Sequence, residues 1–249
     1  MPQAQDSYRQ ADISKEEKSM LIKRLNVAVF LFLCGFGLWA GDIASFVDLG
    51  FSPDGKTYMF AQYGIQSKTL KPWADLFVVD VPGNNFVSGG RISFVNDWPV
   101  IAGQDGSGAL YRVIAQNAAL AERYRINHCF QGRPVYIAVN NSSTEIFPIE
   151  FTDFVSGAGY RAVLVPHVEG AGASLSSSFF INLERTARDG SRKTYTVGTP
   201  QVKRPQIMSY SIRRVMIAPN DNSMIFVIEM TKQDGGETDI RYMIEALAL

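Results

Sequence analysis

His128, Cys129 and His167 are the histidine and cysteine side chains beyond residue 40 of this 249-residue chain. A zinc site repeats such ligands at short paired spacings, and these three do not, so metal chemistry is not expected of them. Cys129, in "INHCFQG", reads as a small buried hydrophobe. Calcium would use oxygen-rich loops, and "GQDGSG" at 103–108 and "NDNS" at 220–223 are two. Neither completes the D-x-[DN]-x-[DN]-G pattern with its distant glutamate, and turn formation explains both. The serine-rich "GAGASLSSSFF" at 170–180 lacks G-x-S-x-G and precedes a strand, so it reads as a hairpin loop rather than a nucleophile or a phosphate cradle.

Carboxylates are the remaining candidates. Glycoside hydrolysis needs two that face each other, and Asp42, Asp48, Asp75, Asp80, Glu150 and Asp153 are available. Several fall at strand ends, where solvated acids are the rule. The one charge asymmetry is basic: Arg185, Arg188, Arg192 and Lys193, then Lys203 and Arg204 in "VKRP", then Arg213 and Arg214. Arg192, Lys193, Lys203, Arg204, Arg213 and Arg214 are candidate contacts for an anionic partner, with solvated strand-edge charge as the competing reading. No catalytic, cofactor or metal residue is assigned, and no cofactor is expected.

The elements that must position these residues are mostly strands. Lysine plus arginine and aspartate plus glutamate number 24 each, which removes the field that a nucleic-acid partner would need. Period-two segments at 43–51, 57–65, 75–81 and 86–95 predict a four-stranded antiparallel meander. Its first turn is Ser52-Pro53-Asp54-Gly55, in which proline presets a negative φ and glycine accepts a positive one. "IAPNDNSMIFVI" at 217–228 aligns without gaps on "FSPDGKTYMFAQ" at 51–62, placing Pro219 on Pro53 and Asn220 on Asp54. Between these ends, 107–125 predicts one amphipathic helix capped by Ser107, and 134–199 returns to strands in a sandwich-like middle.

The N-terminal region reads as targeting sequence. "VAVFLFLCGFGLWA" at 27–40 is uncharged, follows Lys23 and Arg24 and ends before Gly41. As a helix it would reach about 21 Å at ~1.5 Å per residue, short of a hydrocarbon core of ~30 Å. Residues 1–40 are thus expected to be an extension and signal peptide, with translation starting at Met20 and cleavage after Ala40, or else an uncleaved anchor. Leu33 is too bulky for a lipoprotein signal at Cys34. Residues 41–249 are expected to form a single mainly-β exported domain, periplasmic or secreted, touching membrane only through residues 27–40.

Two resemblances sit on these residues. "FSPDGKTYMFAQYG" followed by "ADLFVVDV" resembles the repeat of TolB-type β-propellers, which implies blade-like meanders at both ends and a structural turn. "GDIASFVDLGFSPDGKTYMFAQYGIQ", "GYRAVLVPHVEG" and "SSFFINLERTARDGSRKTYTVGTP" running into "SIRRVMIAP" resemble a bacterial family of predicted secreted proteins of unknown function. That likeness implies export and transfers no catalytic residue. The expected function is non-catalytic binding of an envelope protein or polymer. The alternative is a hydrolase acting on an envelope polymer through a carboxylate pair.

Overall fold

The computed structural model describes residues 41–139, 148–234 and 237–249, all within one compact unit, Ala40–Leu249. The expectations for the start site, the signal, Cys34 and cleavage lie outside the described residues.

The opening meander is present as β1 (Ser45–Phe51), β2 (Thr57–Ile65), β3 (Pro72–Asp80) and β4 (Asn85–Val95), antiparallel in that order. β3 starts three residues earlier than its period-two pattern announces. It can open on Pro72 because a first strand residue need not donate to the ladder. The 52–55 turn is closed by its own side chains. Ser52 Oγ accepts from Thr57 N at 2.9 Å and donates to Asp54 Oδ1 at 2.6 Å, while Gly55 N donates to Ser52 O at 2.9 Å. Gly55 adopts φ +68°, which favours glycine, and a Cβ there would lie 2.1 Å from Asn220 Nδ2 and displace that side chain.

The turn at 218–222 lacks the Ser52 hydroxyl bonds, because Ala218 stands there, but repeats the bonds that backbone N–H groups make. Ala218 N donates to Ser223 O as Ser52 N does to Thr57 O, and Asp221 N donates to Ala218 O as Gly55 N does to Ser52 O. Asn222 N donates to Asn220 Oδ1 as Lys56 N does to Asp54 Oδ1. The correspondence extends one strand further, with Leu249 N on Asn222 O matching Val81 N on Lys56 O. The two turns also touch, through Asn220 Nδ2 and Asp54 O at 2.6 Å.

The predicted helix is two, α1 (Ser107–Gln116) and α2 (Ala118–Arg123), broken where Asn117 Nδ2 donates to Val113 O at 2.8 Å. Ser107 is the first helical residue and not the cap, a correction; Asp105 Oδ1 accepts from its N–H and its hydroxyl. Ala109, Leu110 and Val113 pack on Met59, Ala61, Leu76 and Val78, one face of the first sheet. Gly106 permits that approach, since a Cβ there would lie 2.5 Å from Gly64 O.

The rest of the chain forms β5 (Arg133–Ile137), β6 (Ile149–Asp153), β7 (Ala158–Glu169), β8 (Ser176–Thr186), β9 (Arg192–Val197), β10 (Arg204–Pro205), β11 (Ile207–Ile217), β12 (Ser223–Asp234) and β13 (Glu237–Ala248). The C-terminal sheet has the order β13-β12-β11-β5, and the middle sheet β10-β8-β7-β6 with β9 also on β8. Tyr58 and Phe60 of β2 meet Ile225 and Val227 of β12, so the first and C-terminal sheets pack face to face. Met224, Phe226 and Ile228, on the other face of β12, meet Phe179, Ile181 and Leu183 of the middle sheet. Burial on both faces is why β12 reads "MIFVI" rather than alternating. The layers therefore run helix, first sheet, C-terminal sheet, middle sheet. The molecule is mainly β with antiparallel sheets, and among the described residues nothing closes into a barrel or a ring of blades.

Candidate functional site

Asn96 to Gly106, between β4 and α1, is a loop tied down along its length. Asn96 N donates to Pro72 O at 2.8 Å, Val100 N to Leu70 O at 2.8 Å, and Asn96 Nδ2 to the Trp98 carbonyl at 2.9 Å. Gln104 closes the far half, its amide N donating to Ile101 O at 3.1 Å while its Oε1 accepts from Ile101 N at 3.1 Å. Between this loop and α1 lies a cleft of about 620 Å³, bordered by Phe94, Asn96, Trp98, Gln104, Asp105 and Arg112. Trp98 is 76% exposed beside it, and Ile101 and Tyr111 stand nearly as far into solvent. The Arg112 guanidinium lies over the Phe94 ring, 5.1 Å from its centroid. Asp105 is the one carboxylate on the border. The hydroxyl and N–H of Ser107 hold it below the usual carboxylate range, so it is a poor proton donor. An exposed indole face, amides, a cation and one ionised carboxylate can hold a ligand but supply no acid and base pair.

The residues that sequence reasoning singled out are scattered by comparison. His128 Nδ1 sits 2.7 Å from Leu49 O, and His167 Nε2 2.8 Å from Glu169. Among the described residues no group of three His, Cys, Asp or Glu is placed to hold a metal. Cys129 is exposed, which corrects the expectation of a buried hydrophobe. In the serine-rich segment Ser177 is buried, its hydroxyl donating to Ile207 O and meeting the Tyr210 hydroxyl at 2.8 Å.

The candidate carboxylates have structural partners. Asp42 pairs with Arg241 at 3.1 Å, and Asp153 takes the Arg133 guanidinium on both oxygens at 3.1 Å. Asp75 accepts from Gln62 Nε2 and Asp80 from Gly83 N. Asp48 accepts from Gly50 N, and burial pushes its carboxyl up. Glu150, Arg161 and Glu184 stand in register on three adjacent strands of the middle sheet. The two glutamates are thus two strand spacings apart, about 9.6 Å, with Arg161 between them and 3.6 Å from Glu150.

Of the six candidate cations, Arg192, Lys193, Lys203 and Arg204 lie on β9, β10 and the segment joining them, along one edge of the middle sheet. Arg213 and Arg214 are on β11, in the C-terminal sheet. Arg192 pairs with Glu184, Lys203 with Glu169, Arg204 with Glu245 and Arg213 with Glu229. Lys193 lies over Tyr195, and Arg214 over Phe46 at 6.0 Å.

The family model described as "Predicted secreted protein (DUF2259)" matches residues 59–248. The chain belongs to this family. No curated protein and no solved structure matches it. The DUF2259 region contains the whole Trp98 cleft and all three sheets except β1 and the first residues of β2. Among its described residues no helix is long and apolar enough to cross a membrane. Sequence reasoning had weighed 103–108 as a calcium loop and missed Trp98 and Arg112. The available signal was a tryptophan within "NDWP", a turn-forming stretch where a core residue is out of place.

Proposed function

We propose that this DUF2259 protein is an exported binding protein of the cell envelope, that residues 41–249 act as one domain, and that the Trp98 cleft holds a segment of envelope glycan. The observation that carries this is Trp98, 76% exposed at the border of a preformed polar cleft. Sugar rings present apolar faces and polar edges, which suits an indole face surrounded by Asn96, Gln104 and Arg112. The TolB-like reading supports the same role. The first and C-terminal sheets stack face to face and share the turn bonding described above, as neighbouring blades would, although analogy of fold assigns no ligand. The cationic edge at Arg192, Lys193, Lys203 and Arg204 is a second candidate contact for anionic polymer, but its charges are largely engaged within the protein.

Titration of the protein with soluble glycan fragments of its own envelope tests the reading. Trp98→Ala is expected to weaken binding about 30-fold, the loss of about 2 kcal/mol that a central tryptophan anchor carries. An unchanged affinity in Trp98→Ala would reject the cleft, and release of shortened glycan would reject a non-catalytic role.

A further inference from the structure

The β6–β7 turn presents two large apolar side chains to water. Phe154 is 93% exposed and Val155 68%. The turn beneath them is closed by its own hydrogen bonds. Asp153 accepts from Val155 N at 3.1 Å, Ser156 N at 3.2 Å and the Ser156 hydroxyl at 2.6 Å, and Gly157 N donates to Asp153 O at 2.8 Å. Arg133 clamps the same carboxylate from β5. Asp153, Ser156 and Gly157 make the turn, and nothing in its bonding calls for phenylalanine and valine at the tip, where polar residues are favoured. Exposed apolar side chains on a fixed support mark a contact surface.

The surroundings indicate what is contacted. The β8–β9 turn, 187–191, lies at the same end of the middle sheet, and the aliphatic part of Arg188 lies alongside Gly157, 3.4 Å from where a Cβ would be. Arg188 is exposed, and among the described residues no carboxylate pairs with it. Arg192 and Lys193 are exposed beside it, Arg192 in a solvent-exposed pair with Glu184 at 3.3 Å and Lys193 over the Tyr195 ring, while the nearby Asp189 is engaged by the Ser191 hydroxyl and N–H. An apolar tip with cations set back from it matches the layering of an anionic bilayer, acyl chains beyond charged headgroups.

We propose that the 153–157 and 187–191 turns dock this protein on an anionic membrane surface, with Phe154 and Val155 entering the interface and Arg188 and Arg192 at the headgroups. Membrane contact was expected only through residues 27–40; this is a second contact, independent of the Trp98 cleft. The test is the full chain carrying Phe154→Trp, a surface change that leaves the turn bonding intact, mixed with vesicles of phosphatidylglycerol and phosphatidylcholine. The emission added by the new tryptophan, taken as the difference from the parent chain, is expected to shift to the blue and to be quenched by brominated acyl chains. Because the probe is local, attachment through residues 27–40 does not reproduce the signal. Adding Arg188→Gln and Arg192→Gln should weaken this insertion roughly 25-fold, about fivefold for each cation lost, and phosphatidylcholine alone should give little. An added emission that vesicles leave unchanged would overturn the proposal, as would equal insertion into both vesicle types.

Discussion

Glu245 shows how a single side chain joins separate sheets. It lies on β13, accepts from Asn84 Nδ2 of the β3–β4 turn at 2.6 Å, and meets Arg204 of β10 at 3.4 Å. Asn84 also accepts from Ala246 N, so the junction is bonded in both directions. Burial pushes the Glu245 carboxyl above its usual value of 4.5, against the Asn84 bond and the Arg204 charge that pull it down. A carboxyl that holds its proton more tightly folded than unfolded loses stabilising effect as pH rises from 4.5 through its folded value. Glu245→Gln, which cannot ionise, is therefore expected to gain stability relative to the parent chain between pH 4.5 and neutrality. Urea unfolding at several pH values measures this, and a stability difference that stays flat with pH would contradict it. Such a junction could not be read from the chain, because Asn84, Arg204 and Glu245 are far apart in sequence and each alone looks like a solvated polar residue. Cys129 failed for a related reason: composition favours burial of free cysteine, but the local turn at 127–130 leaves this one outside.

At the scale of elements, legibility followed whether local patterning or tertiary contact decided the outcome. The 52–55 turn and β1 to β4 were legible because proline, glycine and period-two alternation act within a few residues. The echo at 217–228 rested on two identities, yet its backbone N–H groups bond as those of 51–62 do, with Asn220 Oδ1 accepting where Asp54 Oδ1 does. The break at Asn117 was not legible, since apolar spacing continues through it and the helix ends where the Asn117 side chain takes Val113 O and its N–H turns to Ile114 O. α1 matters because it covers the outer face of the first sheet and forms one wall of the Trp98 cleft. Leu110→Ala should cost about 2 to 5 kcal/mol, the range for truncating a buried leucine. Thermal and urea unfolding would show it; a loss under about 1 kcal/mol would mean that the helix is not anchored by this contact.

At the scale of the molecule, the N-terminal pattern pointed to export, and membership of a family of predicted secreted proteins agrees with it. The stacking of three sheets was beyond the sequence, because which sheet covers which depends on contacts such as Phe60 with Val227 that no local pattern encodes. The cleft was hidden for the same reason, being assembled from β3, β4, a loop and α1. The central claim is that this cleft binds envelope glycan without cutting it. Backbone hydrogen exchange of the protein with and without soluble envelope glycan addresses that directly, with the mass of the glycan followed in the same samples. Slowed exchange concentrated in residues 94–112, with glycan of unchanged length, is the expected result. Protection confined to the β9–β10 edge, no protection anywhere, or shortened glycan would contradict it.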